Sequence, residues 1–317
     1  MKSKHIIYAC IAGALMLAAP AAVSADTFQG NRFFHDGDGV IHLKSRKNGS
    51  VFDGRYRKES GDYDPKALAA IGRVFDVPEK AGPSVIALRL IAFLDFLQDH
   101  YTTGAVITIT SGYRSPSYNT NLRRKGALAA KASLHQYGMA ADIAIDGVPS
   151  RGIWEFVKSL GFGGTGYYQG EDVHVDVGPA RSWDQRTSGV GTGISDDNKL
   201  IGVVTDFDRY ATGETMTLRF IRMTAFPIGV SPQFALVSLK GAAEDRRVTE
   251  FHPDFTVPAT GPCPQFADID QMAGITWRLP ADLPTGRYAV RVDFCDRSWA
   301  AMPAEIVTPA FDVVAVP

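Results

Sequence analysis

The sequence predicts a mixed helix-and-strand domain followed by a smaller all-β domain of immunoglobulin-like sandwich type, and three observations carry that division. Helical and strand patterns both occur up to about residue 187. After about residue 199 only short strand patterns remain, separated by turn residues, which is what a β-sandwich requires. Between the two, residues 188–198 are dominated by Gly and small polar residues and read as a linker.

Residues 1–25 stand apart from both domains. Lys2 and Lys4 precede an apolar run from Ile6 to Ala19, and Val23-Ser24-Ala25 offers small or modest residues for cleavage before Asp26. The run falls short of the ~20 residues that span a bilayer, so it reads as a cleaved secretory signal rather than an anchor. The mature chain is then expected in the periplasm or secreted, with no membrane segment after cleavage.

The mixed domain, 26–187, opens with short strands and turns over about residues 30–60, with Asp36-Gly37-Asp38-Gly39 and Lys47-Asn48-Gly49 as turn signals. A helix is predicted to start at Asp64 as N-cap with Pro65 in its first position. A second begins near Ser84, where Ile86, Leu90, Phe93, Leu94 and Leu97 recur at helical spacing and give one buried face. Val106–Thr110 alternates as a strand, Ala140–Ile145 reads as a buried one, and Ile153–Leu160 fits a helix ended by Gly161. From Asp172 to Val177 polar residues alternate with Val, so that Asp172, His174 and Asp176 share one strand face. In the second domain, 199–317, Met216–Phe220, Phe234–Val237 and Arg287–Val292 read as strands, with Leu283-Pro284-Thr285-Gly286 as a turn.

Loss of Lys2 and Lys4 takes the net charge from −1 to about −3, without basic runs. Nucleic acid and anionic lipid therefore have no electrostatic claim on the chain. Of three cysteines, Cys10 leaves with the signal. Cys263 and Cys295 remain, an even pair that in an oxidising compartment suggests one disulfide, the alternative being two buried thiols.

Three segments carry candidate chemistry: Ser111-Gly112-Tyr113-Arg114-Ser115-Pro116, Ser133–Asp142, and Asp172–Asp176 with the Arg181-Ser182-Trp183 that follows. A catalytic zinc takes three ligands from His, Cys, Asp or Glu and keeps a fourth position for water. His135 from a loop, Asp142 from the next strand and His174 from a neighbouring strand supply such a set. Two neutral imidazoles and one carboxylate leave net positive charge near one, which acidifies water and polarises a carbonyl. Arg114 adds positive charge where an oxyanion forms or holds a substrate carboxylate. For the base that takes the water proton, Glu171 and Asp176 both stay open. Taken singly these residues carry little: His seven before an Asp recurs by chance, His-Val-Asp suits a surface strand, and Trp183 reads as core. Their ordered co-occurrence within about 65 residues, and the small residues of Ser-x-His-x-x-Gly-x-Ala-x-Asp, separate them from that background.

With SGYRSP, SLHQYGMAAD and VHVDVGPARSW in order, and Gly163–Tyr168 before the last ligand, residues 30–185 resemble the zinc D-Ala-D-Ala carboxypeptidase-like peptidases. Within them they are most similar to the murein endopeptidase branch exported by Gram-negative bacteria. The resemblance implies an α+β fold around a small antiparallel sheet with flanking helices, and Zn2+ at His135, Asp142 and His174. It implies Arg114 as transition-state aid. An acid three before the last His is the base in several relatives and maps to Glu171. The Asp two after it, typical of the nearest branch, maps to Asp176. The expected activity is cleavage of peptidoglycan stem-peptide cross-links by metal-activated water, with D-amino-acid carboxypeptidase as runner-up. A non-catalytic wall binder that keeps the zinc fold is the rival from another class. The C-terminal β domain departs from the family pattern; a wall or protein contact is one role for it, and being the working part, with the first domain as anchor, is another.

Overall fold

The structure, a computed structural model, describes residues 30–79, 85–126, 129–240, 248–258, 261–296 and 298–315. The signal-peptide expectation over residues 1–25, with Cys10, and the predicted helix start at Ser84 lie outside these residues.

The hairpin signal at Lys47-Asn48-Gly49 joins β1 (Val40–Ser45) to β2 (Val51–Arg55). α1 (Pro65–Val74) starts as its sequence predicts, the Asp64 side chain accepting a hydrogen bond from the Lys66 amide. α2 (Leu88–Tyr101) and β3 (Ile107–Ser111) follow, then α3 (Pro116–Arg124), a helix that the sequence reading did not include. Ser115 caps it and Pro116 fills its first position, so the motif that ends β3 also starts a helix. β4 (Ala140–Ile145), α4 (Ser150–Leu160), β5 (Gly164–Tyr167), β6 (Val173–Asp176) and β7 (Arg181–Asp184) complete the first sheet.

That sheet is larger than the small antiparallel one expected. It has seven strands in the order β2-β1-β3-β4-β6-β5-β7, and the β1–β3 and β5–β7 pairs are parallel. The connection from β1 to β3 runs through two helices, long enough for the crossover that a parallel pair needs. β7 returns to the free edge of β5 after β6 has paired with its other side.

The remaining strands are β8 (Gly202–Thr205), β9 (Arg209–Ala211), β10 (Thr215–Ile221), β11 (Ile228–Ser238), β12 (Val248–Phe251), β13 (Gln265–Phe266), β14 (Ile275–Arg278), β15 (Gly286–Phe294), β16 (Glu305–Val307) and β17 (Phe311–Val314). They form a three-stranded sheet, β14-β10-β8, and a second seven-stranded sheet built around β11, β15 and β17. Among the described residues this part of the chain is all-β apart from a short 3-10 turn at Asp270–Met272. Cys263 and Cys295 form a disulfide there, with Cα atoms 5.6 Å apart.

One apolar core runs through both regions. α2 lies within it, with Leu90, Phe93, Leu94 and Leu97 all inaccessible to solvent. Three of its polar residues, Arg89, Asp95 and Gln98, are buried too: Arg89 pairs with Asp208 at 2.8 Å and donates to the Thr205 hydroxyl. Arg219 of β10 donates to the Tyr137 carbonyl at 2.9 Å, and the Met223 amide donates to the Tyr137 hydroxyl. The segment before β1 packs on the all-β region: Arg32 pairs with Glu214 at 2.7 Å, and Arg209 donates to the Phe33 carbonyl. Nor is the 188–198 segment a bare tether, since Asn198 is buried and its side chain bonds Thr224 and Ala225. No described helix is long and apolar enough to cross a membrane.

Candidate metal centre

Strand register lines up the site. Ser111, Asp142, His174, Gly166 and Trp183 stand directly opposite one another across β3, β4, β6, β5 and β7. Residues directly opposite share a sheet face, so the pairing alone brings Asp142 and His174 together. Gly166 is required in that row because a Cβ there would collide with the Trp183 indole. The indole can therefore lie beside the His174 ring, with centroids 4.9 Å apart. Two residues along on the same face, Ala140, Asp176, Gly164 and Arg181 form a second row.

His135 reaches the row from outside the sheet. It sits on a 3-10 turn, Leu134–Tyr137, ended by Gly138 in the left-handed conformation. A Cβ at Gly138 would strike the Val85 carbonyl, so glycine is needed both for φ and for space.

The two rings present different nitrogens. His135 Nδ1 donates to the Gly112 carbonyl at 2.7 Å, leaving Nε2 free to face Asp142 Oδ1 at 3.5 Å. His174 Nδ1 lies 3.0 Å from the same oxygen, while its Nε2 donates to Asp176 Oδ2 at 2.8 Å. Ligands at 2.0–2.2 Å from a tetrahedral zinc are ~3.4 Å apart, so these donors have the spacing of a shared ion. The ring nitrogens remote from the site are both hydrogen-bonded to oxygen, as metal-bound imidazoles require. The donor set His135, Asp142 and His174 therefore fits a zinc-sized cation, all three side chains being buried.

Burial is the largest influence on both rings: it lowers the His135 imidazole, whereas at His174 the bonds and charges of Asp142 and Asp176 outweigh it and raise the imidazole. Burial pushes the Asp142 carboxyl up, but His135 and His174 outweigh it and hold it well below the usual carboxylate range. Tyr168 donates its hydroxyl to Asp142 Oδ1 at 3.0 Å; burial and that carboxylate push the phenol pKa up, so it keeps its proton. Arg114 binds Asp142 Oδ2 at 3.0 Å and the Ser111 hydroxyl at 2.8 Å.

The two acids left open by sequence occupy different places. Glu171 is exposed and faces Arg46 at 3.6 Å, on the turn before β6. Asp176 is wholly buried and accepts from the Gly164 and Gly178 amides, both Arg181 terminal nitrogens and His174. Burial raises its pKa, yet Arg181 and His174 hold it well below the normal range.

A cleft of about 560 Å³ opens over the centre, walled by Arg114, His135, Tyr168, His174 and Trp183. Trp183 is thus a cleft residue and not the core residue its sequence suggested. Residues of the 187–196 segment and Arg222 form the opposite side. Sequence reasoning missed Tyr168, Arg181, the Gly112 carbonyl and Arg222. The first two lie in the motif stretches already noted. Gly112 acts through its backbone, and Arg222 has no signal in sequence because only tertiary folding brings it here.

Residues 37–183 match the family described as peptidoglycan L,D-endopeptidase MepK (Peptidase_M15_2). The peptidoglycan L,D-endopeptidase MepK of Escherichia coli K12 is 33% identical over 144 residues, 45% of this chain and 76% of that protein. A probable peptidoglycan L,D-endopeptidase MepK of Haemophilus influenzae is 44% identical over 80 residues, 25% of this chain and 43% of that protein. Among solved structures, the sporulation control protein Spo0M of Bacillus subtilis covers 37% of this chain and 49% of its own. Its 11% identity and TM-score of 0.21 carry no argument.

Proposed function

The chain belongs to the peptidoglycan L,D-endopeptidase MepK family, and from that premise we propose that it cuts stem-peptide cross-links with a zinc ion held by His135, Asp142 and His174. It is a metallopeptidase acting on peptidoglycan. The observation that carries the zinc assignment is the donor spacing, 3.0 and 3.5 Å from Asp142 Oδ1 to the two rings, with each remote ring nitrogen locked by an oxygen.

When bound, zinc supplies Lewis acidity here, acidifying water and polarising a carbonyl. The protein's own residues do the rest. Asp176 fixes the His174 ring so that Nδ1 faces the cation position, and Arg181 keeps Asp176 ionised. Arg114, tied at Ser111 and Asp142, sets a guanidinium on the cleft wall where charge develops on the scissile oxygen. Asp176 has no lone pair to spare for a proton, which leaves Glu171 as the candidate base, a carboxylate on an exposed turn that pairs with Arg46 and stands outside the residues walling the cleft. Trp183 and Tyr168 shield the two flanks from bulk water.

The activity belongs outside the cytoplasm, in the periplasm, which fits the signal-like residues 1–25 and the Cys263–Cys295 bridge. Residues 26–187 are the peptidase domain and 199–317 an immunoglobulin-like sandwich, a reading supported by two sheets, antiparallel but for the β9–β17 pair, around buried aromatics.

Digestion of purified sacculi by the zinc-loaded protein should remove cross-linked muropeptide dimers and leave monomers intact. Loss of one terminal residue from monomers would indicate the carboxypeptidase instead, and binding without soluble products a non-catalytic wall protein. Chelation should abolish cleavage, zinc should restore it, and His135→Ala should lower bound zinc measured by elemental analysis.

A further inference from the structure

The peptidase family's matched stretch ends at residue 183, yet the cleft it forms is closed by residues that follow. Its wall carries five cations, Arg114, Arg123, Lys131, Arg181 and Arg222, against one acid, Asp196. Three of the five are neutralised locally: Arg114 by Asp142, Arg181 by Asp176, and Lys131 by Asp196 at 3.4 Å. Arg123 and Arg222 make no ion pair among the described residues. In a chain of net charge −1 this is a concentrated positive field, of the kind that gathers anionic ligands.

Arg222 is the more telling of the two. Its Nε is buried without a hydrogen-bond partner among the described residues, a state that costs free energy. Burial, and the Arg181 guanidinium nearby, lower its pKa to about 10. Its backbone is left-handed, φ 61°, which a long side chain adopts only where surrounding structure forces it. That structure is visible: Ile221 ends the β10–β8 pairing, and the next amide, of Met223, is fastened to the Tyr137 hydroxyl. The strained residue is thus held from both sides and its side chain delivered to the cleft wall.

We propose that Arg222, brought by the all-β region to a cleft wall that Arg123 of α3 also lines, binds a free carboxylate of the peptide substrate. This rests on the peptidase reading for the identity of the ligand, an acidic peptide strand. A planar guanidinium with donors unspent suits a carboxylate, which it meets with two parallel hydrogen bonds. The all-β region then serves substrate choice, by completing the cleft rather than by attaching elsewhere.

The test uses two synthetic cross-linked stem-peptide dimers that differ only in whether their side carboxylates are free or amidated. Calorimetry with the zinc-loaded full chain should show the free-acid dimer bound about tenfold more tightly than the amide. Arg222→Gln should bring that ratio close to one, Arg222→Lys should retain part of it, and the change should fall on KM more than on kcat. Equal affinity of the wild type for both dimers overturns the subsite. So does an Arg222→Gln variant that keeps the full ratio, or weakens both dimers alike. Should Arg222→Gln fail to fold, Arg222→Lys carries the test in its place, and a ratio there equal to one or to that of the wild type overturns the proposal. Discrimination in binding without any turnover would support the subsite while removing the hydrolase reading, so the two fail separately.

Discussion

Asp176 accepts five hydrogen bonds in a fully buried position, and what it does follows from where each comes from. The Gly164 and Gly178 amides and Arg181 fix its two oxygens, leaving one direction for His174. Asp176→Asn should keep the shape but lose the charge, lowering zinc affinity by roughly 10–100-fold in a competition titration, as changes behind a ligand do. Glu171→Gln should leave zinc affinity alone and lower kcat by about 100-fold, the scale of a lost general base. The reverse pattern, normal zinc affinity in Asp176→Asn and normal kcat in Glu171→Gln, would exchange the two roles. In sequence the base stayed open between these acids, although strand alternation put Asp176 on the face of His174 and Glu171 off it. What separates them is cross-strand: the glycine at 164 leaves room for the Asp176–Arg181 pair, and no spacing within one strand records that. The candidate donor set was legible as a group, because Asp142 and His174 fall opposite each other once β4 and β6 pair.

At the scale of elements, α2 shows where a periodic pattern stops being informative. Leu90, Phe93, Leu94 and Leu97 mark one apolar face, and by that pattern Arg89, Asp95 and Gln98 should meet water. All three are buried, because the all-β region and the β1–β2 hairpin cover the polar side. Asp95 Oδ2 accepts from the Gly39 amide and the Tyr56 hydroxyl, both at 2.9 Å, while Oδ1 has no partner among the described residues. Burial pushes its pKa up to about 7 despite those two donors, and Asp99 and Asp38 add to the rise. A carboxyl raised on folding binds a proton in the native state before it does so unfolded. Stability from this group is therefore present at low pH and falls as pH climbs from about 4 to about 7. Every tenfold difference in proton affinity between the folded and unfolded chain corresponds to ~1.4 kcal/mol. Denaturant titrations at pH 5 and pH 7.5 should show the wild type losing more stability over that interval than Asp95→Asn. Parallel losses in the two proteins would mean that Asp95 stays ionised in the fold.

For the whole molecule, the change of pattern near residue 190 suggested two independent units on a flexible tether. The composition change is real, since helices dominate the cover of the first sheet and the second region is all-β. The independence is a different matter, and composition has no access to it. The Arg89–Asp208 and Arg32–Glu214 pairs, the Tyr137–Met223 bond and a shared apolar core all cross the boundary. Cutting the chain after residue 198 would strand the Arg89 guanidinium and expose one side of α2, and removal of one partner from a buried pair alone costs ~3–5 kcal/mol. That is a large share of the ~5–15 kcal/mol that holds a typical domain. The full chain should accordingly melt in one calorimetric transition, and a chain ending at residue 198 should give no cooperative melt and bind zinc poorly. Two separate transitions in the full chain, or a truncated chain that melts sharply and cleaves sacculi at the full rate, would show that the boundary contacts are incidental. One transition means that α2, which packs under the sheet carrying Asp142 and His174, is held in place by the strands that also carry Arg222, so peptide choice and metal geometry are lost together.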